Sequence, residues 1–483
     1  MSAAALRPIV TICGTTGVGK SKLAIELALH LNQSSNKTQW RRAKIINADS
    51  MQVYKGLDVI TNKVPVSERH GIPHLLMDFK QPGEQYVVGE WVQDTLKLID
   101  EMHNNGELPI IVGGTSYWIQ HLIFPNRLVS KEVDGPGQQK EAVLSGDLQN
   151  AVLKLPPELF ALFENLPPEP PSAKLDPDNA FKLHQLLSLL DPVISGRWHW
   201  KDTRKVLRNL EIIKESGKRP SEIIQEQSKV TTDSNPRFRT LCFWLYSEPV
   251  ELGRRLDSRV DDMISQGLVE EVRSMRKLAE NNSSSWDQTD RPILDYTLGI
   301  FQAIGYREFC GYLDQPTESS FKDAVIRMKL STRQYAKRQI SWIRNKLLPA
   351  IEPASTYVHM YLLDASALGD DWVANVQNPA IRLQNAFLSD RELPAPNTLS
   401  DTASNLLTVA PKDVNPTSVL EARRRKVCPV CTVQEDRPVM IEEGAEWEIH
   451  RNTKAHRKMA SRASRNSNSD YRVKTNVENA QTT

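Results

Sequence analysis

At 483 residues, with 40% apolar and 25% charged residues, the chain exceeds one ordinary domain and can bury a substantial core. A net charge of +2 excludes a globally basic nucleic-acid binder, so any affinity for RNA or DNA has to come from local patches. No apolar run approaches the roughly 18 residues needed to cross a bilayer, five irregularly spaced cysteines make no disulfide framework, and MSAAALRP is too short and weakly charged for a targeting peptide; together these point to the cytoplasm.

From about residue 8 to 125 strand and helix patterns alternate, which predicts a parallel α/β sheet. RPIVTIC reads as a strand, followed by a glycine loop and the helix SKLAIELALHLN. AKIINAD is a second strand, LPIIVGGT a third, and SYWIQHLIF continues as a helix. Pro, Glu and Gly then dominate to about residue 175, as in an insertion or linker, before the helices FKLHQLLSLLDP and DTRKVLRNLEIIKESG. LCFWLYS is a returning strand. VELGRRLDSRVDDMISQGLVEEVRSMRKLA is a long amphipathic helical stretch with a break at Gly267, and FKDAVIRMKLSTRQYAKRQISWIRNKL is another. The predicted division is a core at 1–125, a helical insertion at 126–235, a return to the core at 236–384, a flexible linker at 385–422, a small module at 423–460 and a disordered tail at 461–483.

The loop CGTTGVGKS matches G-x-x-x-x-G-K-S between a strand and a helix. Gly14, Gly17 and Gly19 permit the backbone geometry that turns N–H groups of Thr16 and Val18 around oxyanions. The helix start adds its positive end, Lys20 a charge and Ser21 a hydroxyl suited to Mg²⁺. The motif specifies phosphate but does not distinguish a nucleotide from another polyphosphate. Asp49 closes the second strand and Thr115 follows the third, both on the rim where such sheets bind ligands. A carboxylate there suits a general base, a Mg²⁺ ligand or a simple turn cap. No strand ends in the apolar run plus Asp usual for Mg²⁺ in P-loop ATPases, unless Asp49 serves.

Taken in order, CGTTGVGKS, NADSMQVYKGLDVITNK, VGGTSYW, DTRKVLRNLEI, AIGYREF and STRQYAKRQISWIRNK resemble the tRNA dimethylallyltransferases (tRNA isopentenyltransferases), from about residue 8 to 347. The C-terminal extension is similar to that of the eukaryotic members. The resemblance implies a P-loop sheet core with a helical insertion domain and a zinc finger. It implies transfer of a dimethylallyl group from dimethylallyl diphosphate to N6 of adenosine 37 beside a tRNA anticodon. Asp49 would then be the base, and Lys20, the loop amides, Mg²⁺ on Ser21, Thr115 and an arginine would stabilise the leaving diphosphate. Alignment favours Arg255 for that arginine, with Arg259 second. Asp49, Ser50, Met51 and Gln52 would contact a flipped-out adenine. Arg204, Lys205 and Arg208 on one helix, and Arg327, Gln334 and Arg338 on another, would hold tRNA mainly through phosphate and shape, hence salt-sensitively. RWHWKDTRK departs from many relatives by Trp200-Lys201 in place of Pro-Asn.

Cys428 and Cys431 form C-x₂-C, and His450 and His456 form H-x₅-H, which is tetrahedral Zn²⁺ spacing with every position filled by protein and therefore structural. Arg423 to Lys426 (RRRK), Lys454, Arg457 and Lys458 suit an RNA clamp, and RRRK equally suits nuclear import. A monomer is expected. The competing readings are a P-loop kinase or NTPase, favoured by the loop alone, and a non-catalytic RNA-binding protein, favoured by the finger and basic helices.

Overall fold

The computed structural model describes residues 6–33, 39–125, 144–230, 235–281, 299–408 and 424–462. The expected disorder beyond 462, most of the distal linker and Arg423 lie outside them. Two compact units emerge. The first combines Met1–Leu128 with Ser234–Pro411, and the second combines Val129–Asp233 with Lys412–Thr483.

The first unit is built on β1 (Pro8–Gly14), β2 (Arg42–Asn47), β3 (His74–Leu75), β4 (Glu107–Val112), β5 (Arg239–Tyr246) and β6 (Val358–Asp364). They form one sheet in the order β3-β2-β4-β1-β5-β6, every pairing parallel. β1 is buried throughout and β5 nearly so, as the uninterrupted apolar runs PIVTIC and LCFWLY require of strands covered on both faces. Helices α1 (Lys20–Gln33), α2 (Val88–Asn104) and α3 (Ser116–Ile123) connect the early strands. α1 packs through Leu23, Leu27 and Leu31, apolar at helical spacing. Gly14 closes β1 at φ 146°, where an added Cβ would stand 2.4 Å from the Leu245 carbonyl oxygen, so the chain turns into the loop only as glycine. The order reverses around β1, and doubly wound sheets bind ligands off the carboxyl ends of their strands at such a point.

The long stretch does break at Gly267, into α10 (Pro249–Ser265) and α11 (Leu268–Asn281). After α12 (Tyr306–Asp314), helix α13 (Glu318–Trp342) runs for 25 residues. Several features depart from the pattern reading, β3 and α2 among them, which it did not name. β6 went unread because TYVHMYLLD mixes His and Tyr into a strand at the sheet edge. The proximal part of the predicted linker is structured: Asn378–Leu388 and Asp401–Leu407 are helices. Ala403 is fully buried and Leu406 and Leu407 pack on the core, an apolar contact too sparse to register in a polar sequence.

The second unit carries α4 (Gly146–Leu153), α5 (Pro157–Glu164), α6 (Pro177–Leu190), α7 (Pro192–Ser195), α8 (Thr203–Ser216) and α9 (Pro220–Val230). Within the Pro-rich segment read as an insertion or linker, the described residues include two short helices, whose Leu148, Val152, Leu159 and Phe163 join Leu187, Leu190, Val206 and Leu210 in one core. The same unit holds a two-stranded antiparallel sheet, β7 (Arg425–Val427) with β8 (Met440–Glu442), and the helix Ala445–Arg451. Among the described residues no helix is long and apolar enough to cross a membrane.

Candidate active site

A cavity of about 500 Å³ opens off the carboxyl ends of the strands, with the glycine loop on one wall. Thr16, Gly17, Gly19, Lys20 and Ser21 face it. Gly14 and Val18 do not line it: Gly14 makes the turn described above, and Val18 is 1% exposed, its side chain anchoring the loop in the core. Lys20 is the first residue of α1, so its ammonium and the positive end of the helix address the same space. Its Nζ donates to the Thr15 carbonyl at 2.6 Å. Burial pulls its pKa down to about 8, against the attraction of Asp49 and with a smaller push from Arg259.

The opposite wall is DSMQ. Asp49 sits two residues past β2, and its Oδ1 accepts the Met51 N–H at 3.0 Å while Asn47 Oδ1 accepts the Asp49 N–H at 3.1 Å. One carboxylate oxygen therefore caps the turn. The other approaches Gly114, where an added Cβ would lie 3.3 Å from it. A turn role and a role as base are compatible in this geometry, because they would use different oxygens. Thr115 lies beside the rim and organises it: its Oγ1 accepts the Ser50 N–H at 3.1 Å, and its own N–H donates to the Ala48 carbonyl at 3.1 Å. Gln52 spends its amide N–H groups on the Thr61 and Asn62 carbonyls, both at 3.1 Å.

The two arginines separate. Arg255 Nη1 donates to the Ala365 carbonyl at 2.6 Å and Nη2 to that of Ser366, so its guanidinium is committed to the backbone just past β6. Arg259, one turn further along α10, lines the cavity. Burial pulls it down to about 10, opposed by Asp49. Residues four apart share a helix face but differ by about 6 Å along the axis, enough to put one over the loop and one over a neighbouring strand. Arg259 is the arginine that the structure brings to the loop.

Helix α13 supplies three more groups. Arg338 lines the cavity and lies 5.9 Å from the Tyr335 ring. Tyr335 is pushed well up, by burial first and then by the charge of Asp49, so its phenol stays protonated. Gln339 is a strut: its Oε1 accepts the Thr16 N–H at 2.9 Å, and its Nε2 donates to the Gly114 carbonyl at 3.0 Å. Only a neutral amide both accepts and donates there. Gly114 follows from the same contact, since an added Cβ would stand 2.6 Å from Gln339 Nε2. Lys20, Arg259 and Arg338 against Asp49 leave the cavity cationic, as an anionic ligand requires. Arg327 and Gln334 are exposed elsewhere on α13 and do not line the cavity.

In the second unit Arg204 and Lys205 are exposed at the start of α8. Arg208 is tied to Glu211 at 2.9 Å and Glu215 at 3.3 Å, which reduces what it can offer a phosphate. The metal-type residues converge: ligand atoms of Cys428, Cys431, His450 and His456 all lie within 4.8 Å of one another. His456 Nδ1 is 3.5 Å from Cys428 Sγ, 3.4 Å from Cys431 Sγ and 3.2 Å from His450 Nε2. Tetrahedral Zn²⁺ with ordinary Zn–N and Zn–S bonds holds its ligands about 3.3–3.8 Å apart; the two His456–cysteine separations lie in that range and the His456–His450 one just below it, so the cluster could hold such an ion after small shifts.

Residues 52–346 match the family model described as IPP transferase. The chain belongs to the IPP transferase family. It is 40% identical over 344 residues to the tRNA dimethylallyltransferase of Schizosaccharomyces pombe, covering 71% of this chain and 70% of that one. It is 34% identical to the tRNA dimethylallyltransferase of Saccharomyces cerevisiae over 95% of this chain and 93% of that one. It also superposes on a crystal structure of a eukaryotic dimethylallyltransferase acting on tRNA, with a TM-score of 0.69 and 32% identity over 96% of this chain and 99% of that one. Within this IPP transferase fold, Gln339 and Tyr335 were not singled out in the sequence. The signal was present, because both lie in RQYAKRQ at spacings of one turn or less from Arg338, but nothing local distinguishes a buried amide from a solvated one.

Proposed function

We propose that the chain transfers a dimethylallyl group from dimethylallyl diphosphate to N6 of adenosine 37 in a tRNA anticodon loop, releasing diphosphate. The observation that carries this reading is that a phosphate loop and an acceptor-side carboxylate line one cationic cavity, in a chain related over most of its length to tRNA dimethylallyltransferases.

In the proposed reaction the diphosphate lies along Gly17 to Ser21, with Lys20 and Arg259 over its oxygens. The C1–O bond breaks, the N6–C1 bond forms, and the bond electrons leave with the diphosphate. Positioned cations stabilise the charge that grows on it. The N6 proton passes to Asp49 as the new bond forms. The Ser21 hydroxyl and diphosphate oxygens suit Mg²⁺, which would add Lewis-acid stabilisation of the leaving group. The adenine has to leave the loop stack to reach Asp49, which costs a few kcal/mol, less for an unpaired nucleotide. Its contacts would come from Ser50, Met51 and Gln52, and since Gln52 has already spent its N–H donors, its oxygen is the atom it offers.

Zinc is the proposed occupant of the Cys428, Cys431, His450 and His456 cluster, and Arg204, Lys205, Arg208, Arg327, Gln334 and Arg338 are the proposed tRNA contacts. One assay tests the function: incubation with radiolabelled dimethylallyl diphosphate, Mg²⁺ and anticodon stem-loops bearing A37 or G37. Label on the A37 RNA alone is expected. ATP turnover without label transfer would overturn the proposal in favour of an NTPase.

A further inference from the structure

Trp200 lies in the short stretch between α7 and α8, and an indole placed there needs both apolar cover and an acceptor for its N–H. The structure supplies both from the metal module. Trp200 is 3% exposed, and its Nε1 donates to the Pro438 carbonyl at 2.9 Å. Its ring packs between Met440 on β8 and Ala180 on α6, with Phe181 edge-on at 6.3 Å. A second tie lies nearby, where the Arg425 N–H of β7 donates to the Gly196 carbonyl at 2.7 Å. A third, Arg437 to Asp178 at 3.6 Å, is exposed and adds little.

These contacts connect at both ends. On the metal side, the N–H of Cys428 donates to the Val439 carbonyl at 2.8 Å, so the ligand knuckle holds the backbone flanked by Pro438 and Met440. On the helical side, Trp200 lies three residues before α8 begins, and Lys201 Nζ sits 5.2 Å over the indole. Lys205, one turn on, sits 4.5 Å over Trp198. The path runs through packed and hydrogen-bonded groups from the Cys/His cluster to the exposed cations of α8.

We propose that the metal-bound module is a brace for the start of α8, with Trp200 as the positioning residue, so that zinc supports RNA binding through α8 as well as through the module's own cations. The inference rests on the zinc and tRNA readings above. It implies that a buried side chain unable to touch RNA nonetheless sets the affinity for it.

The test uses the full chain loaded with zinc, the variants Trp200→Ala and Trp200→Phe, and wild-type protein stripped by a chelator. Trp200→Ala should release zinc to a colorimetric chelator about tenfold faster and raise the KM for tRNA about five- to tenfold, at the modest end of ordinary coupling between sites. The kcat and the KM for the isoprenoid donor should hold. Trp200→Phe keeps the packing without the N–H donor, so it should fall between, which a loss of fold would not produce. In the stripped wild type, hydrogen exchange at residues 196–205 should speed up. Unchanged exchange there on zinc removal, or wild-type zinc release and tRNA KM in Trp200→Ala, would overturn the brace. Should Trp200→Ala fail to fold, the phenylalanine variant and the stripped wild type decide. If the wild type transfers no label at all, the proposed activity fails, while zinc release and exchange still judge the brace.

Discussion

The cavity of the first unit and the basic face of the second handle charge in opposite ways. In the cavity, Lys20 and Arg259 are buried enough to be pulled to about 8 and about 10, and both feel one carboxylate, Asp49. On α8, Arg204 and Lys205 stand in solvent, and Arg208 is already matched by two glutamates. Charges in a low-dielectric space act strongly and individually, whereas exposed ones are screened and act as a group. Single substitutions should therefore be severe in the first region and mild in the second.

The largest expected effect is Asp49→Ala. Loss of a general base should lower the transfer rate by about 10²–10⁴-fold with tRNA binding largely intact, measured by single-turnover label transfer beside a filter-binding isotherm. Near-normal rates would remove Asp49 from that role. Next comes the arginine pair. Arg259→Ala should lower kcat/KM for the donor on the order of 10²-fold, as for loss of one positioned group on a developing anion. Arg255→Ala should instead cost about 1–3 kcal/mol of stability through its two lost carbonyl contacts, with a much smaller kinetic effect. A reversed ranking would return the diphosphate to Arg255.

A pH profile sharpens the cavity side further. Lys20 is charged below about 8 and neutral above it, so kcat/KM for the donor should fall as pH rises through that value. In Lys20→Arg the alkaline limb should move to higher pH, because a guanidinium holds its proton more tightly than an ammonium in the same buried place, as Arg259 at about 10 beside Lys20 at about 8 shows. A limb that stays at the same pH in that variant belongs to another group. The smallest effects should come from the basic helix. Lys205→Ala should weaken tRNA binding a few-fold and reduce the salt slope by about one, while Arg208→Ala, already paired, should do less. Equal losses would mean that the Arg208 ion pairs open on binding.

Much of this was legible before any coordinates. The loop declares itself because phosphate binding depends on local backbone freedom, a following helix and two adjacent side chains, all contiguous in sequence. The placement of Asp49 and the convergence of the Cys/His cluster follow from position relative to a strand end and from spacing. The choice between Arg255 and Arg259 was not legible, because helical periodicity places both on one face and only the crossing of α10 over the sheet decides which turn meets the loop. Gln339 escaped for a related reason: its partners are Thr16 and Gly114, 323 and 225 residues away in the chain.

By itself, then, the sequence determined the parallel sheet, the glycine loop that opens its first helix, the carboxylate at its rim and a Cys/His set that could hold a metal, since each is written in a short stretch obeying local rules. Tertiary structure alone decided which arginine faces the loop, that Gln339 ties the loop to the strand rim, that part of the apparent linker packs on the core, and that Trp200 belongs to the metal module. Each of those depends on which distant backbone groups a side chain finds when the elements pack. Hydrogen-bond partners supplied across hundreds of residues leave no periodic trace in the sequence around either end.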